Sequence, residues 1–426
     1  MKLLYLLGTF PRISSEACIM NEIIEIKKEG HGVTILAGDR EYGRYHREIY
    51  EYDLLKDTIH FREYKFLQWN LFNRYKSNYK KNRRFLGAVK ILDFISKITF
   101  DLIRHPSDSF DSIRTLIRTH NNIFSISDTY LGYRKIKGRP DLIHVQFPHL
   151  NHLSQAQFLS EKFDCPFTLI FRALDLHEKS SKKQLRMKKG ILKRSKRIIT
   201  ISEFNRDIIK KEFDMDAVVI HSSINTDKFK PGTNEESTKK PGRIIYTGRF
   251  VEKKGIEYLL EACYILGKRG VKFDLLLIGN GPMKGEYQKR IRNLGIENYI
   301  TFKDLIPQEE IIDELGQSEI FVLPSIVTEI GDTDILPNSL KEAMAMELPG
   351  VTTDISGIQE LVENGKSGLI TKPKDPSAIA DAIEMLLEDE KIRRKMGAVG
   401  RKKIKKEFNI KIEARKLIDV FEKVID

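Results

Sequence analysis

Short apolar runs alternate along this chain with stretches in which apolar residues recur every three or four positions. The runs at 2–8 (KLLYLLG), 33–38 (VTILAG), 141–147 (DLIHVQF), 166–173 (PFTLIFRA), 197–202 (RIITIS) and 217–223 (AVVIHSS) have the length of strands and few polar interruptions. Strands buried on both faces read this way, because each face needs apolar cover. Between the first two, Ile19, Ile23 and Ile26 fall on one stripe of a predicted helix that ends near 29–32 (EGHG).

The rhythm breaks at 225–243 (NTDKFKPGTNEESTKKPGR), a passage rich in Pro, Gly, Thr and Lys. A second series follows at 243–249 (RIIYTGR), 273–279 (FDLLLIG), 299–304 (YITFKD), 320–325 (IFVLPS) and 349–354 (PGVTTD). The pattern predicts an α/β protein of two Rossmann-like, doubly wound domains. We place them at 1–228 and 243–407, with a linker at 229–242 and a closing helix at 408–426 that could cross back onto the first domain. Such a pair binds ligand in the cleft where the strand C-termini face each other. Residues 41–139 depart from the rhythm and predict a helical, basic insertion. It holds the sole tryptophan, Trp69, the cluster KKNRR (80–84) and an amphipathic stretch at 89–106.

Composition changes this picture in one respect. Across 426 residues, 41% hydrophobic and 31% charged is ordinary for a globular protein, but the net charge is +13. That excess favours polyanions: nucleic acid, anionic lipid or phosphorylated small molecules. The basic run 179–197 lacks aromatic interleaving, so no nucleic-acid partner is expected. Cys18, Cys165 and Cys263 lie far apart and predict reduced, structural thiols. No apolar run approaches the ~20 residues of a membrane span. A cytoplasmic place follows, with peripheral contact on the inner leaflet of the membrane left open. The ten histidines show no metal-ligand spacing with nearby acids and no nucleophilic triad, so no metal is expected.

The second half carries the clearest candidate chemistry. Gly248 and Arg249 end one predicted strand, and Lys253, Lys254 and Gly255 stand where a helix begins. Free N–H groups and two cations there suit a diphosphate, although a basic loop facing solvent reads the same way. The stretch 279–282 (GNGP) reads equally as a Gly-rich ligand loop or a plain turn. In 331–347 (GDTDILPNSLKEAMAME), Pro337 suits a helix start, which leaves the N–H groups of Asn338, Ser339 and Leu340 for an anion. Asp334 precedes that helix and Glu342 lies within it. One carboxylate suits a ribose and the other a sugar hydroxyl; a capped core helix is the plain alternative.

Taken in order, GR-x4-KG, GNGP, acid-x2-P-x4-EAMA, SGIQELV (356–362) and NGKSGLI (364–370) resemble the donor half of retaining GT-B glycosyltransferases of family 4. FPRISSEACIMNEI (10–23), GHGVTIL (30–36) and KRSKRIITISEFNRD (193–207) extend the resemblance, above all to bacterial exopolysaccharide and colanic-acid-type members. The resemblance implies that Arg249 and Lys254 hold the donor diphosphate. It places Asn338, Ser339 and Leu340 on phosphate, Glu342 on the ribose and Asp334 on the sugar. Gly8, Thr9, Ser15 and Glu16 would line the acceptor side. The implied activity is metal-independent, retaining transfer from a UDP- or GDP-linked sugar, with no cofactor, to a glycan or lipid-linked acceptor.

The sequence departs from that family in places. Asp334 stands for the usual Glu, and Ile335 for the glycine after it. Gln146 replaces the second histidine of a His-x-His-Phe pattern, and Arg172 replaces a histidine that usually faces the donor sugar. Arginine stays protonated and cannot act as a base. Arg172 therefore reads either as a contact for an anionic sugar or as a salt-bridge partner of a neighbouring acid such as Asp175. His144 ends a predicted strand at the cleft and is a further candidate. These departures keep open a second reading, a non-catalytic partner that binds nucleotide-sugar or glycan in a polysaccharide-synthesis complex. Another chemistry of the same fold, epimerisation or phosphorolysis, is a third.

Overall fold

The computed structural model describes residues 1–10, 17–39, 46–60, 95, 98–104, 106–119, 129–130, 132–172, 182–232 and 239–426. The first sheet holds β1 (Lys2–Thr9), β2 (Gly32–Asp39), β3 (Thr58–His60), β4 (Leu142–Gln146), β5 (Phe167–Phe171), β6 (Arg197–Thr200) and β7 (Val218–Val219). The second holds β8 (Arg243–Thr247), β9 (Asp274–Ile278), β10 (Ile300–Lys303), β11 (Ile320–Leu323), β12 (Gly350–Thr353) and β13 (Gly368–Thr371). Their orders are β3-β2-β1-β4-β5-β6-β7 and β10-β9-β8-β11-β12-β13. Every pairing is parallel. The same winding therefore occurs twice. The strand order reverses between β1 and β4 and again between β8 and β11, where open α/β sheets bind ligand.

The apolar runs became strands because both faces of each sheet are covered. Ile19, Ile23 and Ile26 are all 0% exposed and pack with Leu3, Tyr5 and Leu7 on one face of the first sheet. Leu4, Leu6, Ile143, Val145 and Leu169 fill the other face. The expectation of a helical insertion over 41–139 needs correction. Residues 58–60 form β3, which pairs with β2. Ile49 and Leu54 enter one core of this domain, and Tyr130 and Tyr133 the other. A three-residue strand is too short to show a period, which is why the pattern missed it. Trp69, the 80–84 cluster and most of 89–106 lie outside the described residues. Among those described, no helix is long and apolar enough to cross a membrane.

The end of the chain returns to its beginning. The helix Ile410–Ile425 sets Leu417, Ile418 and Phe421 into the core that contains Leu3, Tyr5 and Ile19. Its crossing pairs with the earlier one: Ile224 N–H donates to Phe408 O at 3.0 Å, and Ile410 N–H to Ile224 O at 2.9 Å. Phe421 is fully buried, with its ring 4.9 Å from that of His144. Phe421→Ala should lower the stability of the first domain in urea unfolding by ~3–5 kcal/mol. The exposed Val399→Ala should stay within about 0.5 kcal/mol of the parent.

Candidate functional site

At the carboxyl end of β8 the chain makes a tight descent. Gly255 adopts φ +60°, and a Cβ there would lie 2.0 Å from Pro324 O, so only glycine lets the turn Glu252–Lys254 dock onto the end of β11. Ile326 N–H then bonds Lys253 O at 2.8 Å. The result is two buried lysines, not the solvent-facing loop that was the plain alternative. Lys254 Nζ donates to Asp334 at 2.7 Å, Ser325 Oγ donates to the same carboxylate oxygen at 2.6 Å, and Lys253 Nζ donates to Asp332 at 2.9 Å. Burial pushes the Asp334 carboxyl up, but Lys254 and Lys253, with the hydrogen bonds from Lys254 and Ser325, outweigh it and hold it below the usual carboxylate range.

Arg249 is exposed at the end of β8 and has no ion-pair partner among the described residues. Its main-chain oxygen accepts from Tyr246 Oη at 3.0 Å. The Tyr246 hydroxyl is raised first by burial, then by Asp334, while Arg249 opposes; both charges therefore lie within reach of one ring. The GNGP stretch supports this loop by backbone approach alone. A Cβ on Gly279 would lie 1.9 Å from Gly248 O, and one on Gly281 would lie 2.4 Å from Phe250 O. Gly248 N–H bonds Ile278 O at 3.0 Å and Phe250 N–H bonds Asn280 O at 2.9 Å. Those glycines are structural: they hold the Arg249 loop in place.

Past Asp334, Ile335 is buried and packs against Gly357. The glycine that its position usually carries is replaced here by a core contact. The helix Asn338–Ala345 begins after Pro337, which supplies no side-chain cap. The first N–H groups, of Asn338, Ser339 and Leu340, thus have no intrahelical acceptor, and Asn338 Oδ1 is buried without a partner. Glu342 is partly buried, and burial pushes its carboxyl up to about 7 against the opposing pull of Lys341 and Lys228. The structure thus brings Gly248, Arg249, Lys254, Asp334 and the 338–342 segment to the carboxyl ends of the central strands β8 and β11.

The first domain corrects one expectation and decides another. His144 does not end its strand at the cleft. It sits mid-strand in β4, 0% exposed, with Nδ1 2.9 Å from Thr168 Oγ1 and its ring against Tyr5 and Phe421. Burial, then Arg172, lowers its pKa to about 3, so it is a neutral core residue at pH 7. Of the two readings of Arg172, the structure shows a salt bridge, and its acid is Glu22. Arg172 Nη2 bonds Glu22 at 2.7 Å and its Nε bonds Gln146 Oε1 at 2.7 Å. Gln146 Nε2 and Tyr5 Oη both donate to the other Glu22 oxygen, at 2.9 and 3.1 Å. The two residues that depart from the family pattern are therefore bonded to each other and to one acid. Glu22 had no sequence signal, because it lies inside an apolar helical run. Gly8 and Thr9 end β1, with the His152 ring beside Gly8. Phe147 takes φ +53° at the end of β4, where its oxygen accepts from His149 N–H at 2.7 Å and meets His152 Nδ1 at 2.9 Å. Ser15, Glu16, Asp175 and His177 lie outside the described residues.

Comparison with known proteins places this geometry. Residues 225–403 match the family described as "Glycosyl transferases group 1", and residues 112–228 match "Glycosyltransferase Family 4". The amylovoran biosynthesis glycosyltransferase AmsK of Erwinia amylovora is 34% identical over 189 residues, 44% of this chain and 46% of that protein. The putative colanic acid biosynthesis glycosyltransferase WcaL of Salmonella typhimurium is 33% identical over 44% of this chain and 47% of its own. The chain thus spans about half the length of these curated relatives. A glycosyltransferase of Rickettsia africae shares the fold with TM-score 0.66 at 16% identity, covering 100% of this chain and 99% of its own. HepE of Anabaena, solved with UDP, does so with TM-score 0.67 at 14% identity, covering 99% and 100%. These likenesses identify both sheets as the two halves of a GT-B fold.

The Arg172 cluster generates a stability prediction. Arg172 and Glu22 are 6% and 9% exposed at their side chains, so removing one charge strands the other. Glu22→Gln should cost ~3–5 kcal/mol in guanidinium unfolding. Glu22→Leu combined with Arg172→Met should recover part of that loss, as a double-mutant cycle would show.

Proposed function

Across residues 112–403 this chain belongs to the glycosyltransferases of Family 4 and group 1, and on that premise we propose that it transfers a sugar from a nucleotide-sugar to a glycan or lipid-linked acceptor in cell-surface polysaccharide synthesis. The observation that carries this reading is the buried Lys254–Asp334–Ser325 group. It stands where β8 and β11 end, beside a helix whose first N–H groups are open. The names of AmsK and WcaL support polysaccharide assembly, and the UDP bound to HepE supports a uridine donor.

In this proposal Arg249 and Lys254 stabilise the charge that grows on the diphosphate as the glycosidic bond breaks. Lys254 has two N–H donors left after bonding Asp334, and Arg249 has no ion-pair partner among the described residues, so both are available to phosphate. Asn338, Ser339 and Leu340 offer main-chain N–H groups, Glu342 takes the ribose hydroxyls, and Asp334 takes a sugar hydroxyl. Transfer proceeds with retention and without a metal. The bond from the anomeric carbon to the phosphate oxygen breaks, and the acceptor oxygen bonds that carbon on the same face. The acceptor proton passes to the leaving phosphate. No histidine base is required by this route, which fits the engagement of Arg172 elsewhere.

The first domain supports a cytoplasmic, membrane-facing place. On the helix Pro106–Thr119, Ser109 and Ser112 are buried, while Phe110 and Ile117 are 66% and 64% exposed. Phe100 and Ile103, just before that helix, are also exposed, as are Arg104 and Arg114. Apolar side chains interspersed with arginine suit an anionic leaflet, the setting of a lipid-linked acceptor.

A thermal-shift screen against UDP- and GDP-sugars should raise the melting temperature with the true donor, by about 2.7 kcal/mol of added stability at a hundredfold excess over Kd. Arg249→Ala should lower kcat/KM by ~100-fold or more with an unchanged melting temperature; near-normal turnover would remove Arg249 from its role. In flotation assays the protein should rise with phosphatidylglycerol vesicles, and Phe110→Ser with Ile117→Ser should abolish this. Equal flotation of parent and variant would exclude that face.

A further inference from the structure

Two donor-side helices reach across to one stretch of the first domain. Lys341, immediately before Glu342, is 0% exposed, and its ammonium donates to the main-chain oxygen of Ser222. Glu360, in the helix Ile358–Leu361, accepts from the N–H groups of Glu203 and Phe204 at 2.8 Å each. Those groups open the helix Glu203–Phe213, and His221 Nε2 lies 3.8 Å from the same carboxylate. Both ties therefore end on residues 203–222, which flank β6 and β7.

The chemistry of the first tie is unusual. A lysine ammonium has three donors, and here a single main-chain carbonyl receives it in a site closed to water. Burial pulls its pKa down to about 7 and Arg172 lowers it further, while Cys18, Glu342 and Glu413 act the other way. An apolar side chain would fill this space at less cost. What the lysine supplies is a directional contact between domains. With Glu360 it makes two contacts to the same stretch; these act beside the Lys228 bridge between Glu48 and Glu309 and the returning helix Ile410–Ile425, and of these ties they are the ones that bear on the helices Asn338–Ala345 and Ile358–Leu361 themselves.

We infer that Lys341 is a positioning residue of the proposed transfer, holding the phosphate-facing helix and Glu342 at a set distance from the acceptor-side domain, with Glu360 as the second point of the same fastening. The inference rests on the transfer reading for its kinetic consequence, but the fastening itself is measurable without it. Loosening the tie leaves the donor groups of the second domain in place and misplaces the acceptor relative to the anomeric carbon. Donor affinity should then hold while turnover falls.

The test uses the full chain with Lys341→Met and Glu360→Gln. Pulsed electron spin resonance between labels on the exposed positions Lys137 and Glu388 reports the inter-domain distance without ligand. Both variants should broaden that distribution. With the donor found by thermal shift, Lys341→Met should keep Kd within about threefold and lower kcat for transfer by about tenfold or more, and a larger share of donor should be lost to hydrolysis. Unchanged distance distributions in both variants overturn the inference, as does a parallel loss of affinity and turnover. If no nucleotide-sugar is turned over, the transfer reading fails while the distance measurement still decides the fastening. Should Lys341→Met not fold, Glu360→Gln carries the same expectation, and an unchanged distribution there overturns it.

Discussion

The second domain of this molecule is organised by the ion pair between Lys254 and Asp334. Neither group could be buried alone, because an unpaired charge away from water is far too costly. Burying them together forces two loops to converge. Gly255 brings the Glu252–Lys254 turn against Pro324, Ser325 adds its hydroxyl, and Asp334 draws the 331–337 loop over the end of β11. Once that loop is anchored, Ile335 packs on Gly357 and the helix Asn338–Ala345 starts where its open N–H groups share the carboxyl ends of β8 and β11 with Arg249. The shorter reach of Asp334 is met by a lysine already at hydrogen-bond distance.

The first domain shows how a polar network absorbs departures from a family pattern. Gln146 and Arg172 each take the place of a histidine, and each alone would look like damage to a reactive centre. Together they close a ring of hydrogen bonds around Glu22, which Tyr5 completes. The arginine keeps its charge because the acid beside it is equally buried. A change of this kind is concerted: it makes sense only as a set.

The sequence made the two sheets legible because parallel strands covered on both sides must be apolar nearly throughout. It concealed β3 and β13, where polar and glycine residues flank the short apolar core (DTIHF at 57–61, KSGLITK at 366–372) and leave no continuous apolar run. The Arg249, Lys254 and Asp334 positions were readable because glycine, proline and charge cluster at strand ends. Glu22 and Lys341 were not. A charged residue within an apolar helical stripe, or next to another charge in KEAMA, reads as a solvent-facing position until tertiary contacts reveal its partner. His144 failed for a related reason: a strand's end is fixed by pairing, and β4 runs two residues past it. The packing of the closing helix lay beyond any local signal, since its amphipathic stripe does not say which core it completes.

That closing helix also sets an order of events during synthesis. Leu417, Ile418 and Phe421 belong to the core begun by Leu3 and Tyr5, so the part of that sheet face which the helix Ala17–Lys28 does not cover stays open until residue 421 has been translated. At elongation rates of about 5–20 residues per second the interval is on the order of tens of seconds. The exposed face is not uniformly greasy. Tyr5, Glu22, His144, Gln146 and Arg172 all lie on it, and until the helix arrives they can be hydrated. The residues that form a buried network in the finished protein are thus the polar positions of that core while it is still incomplete.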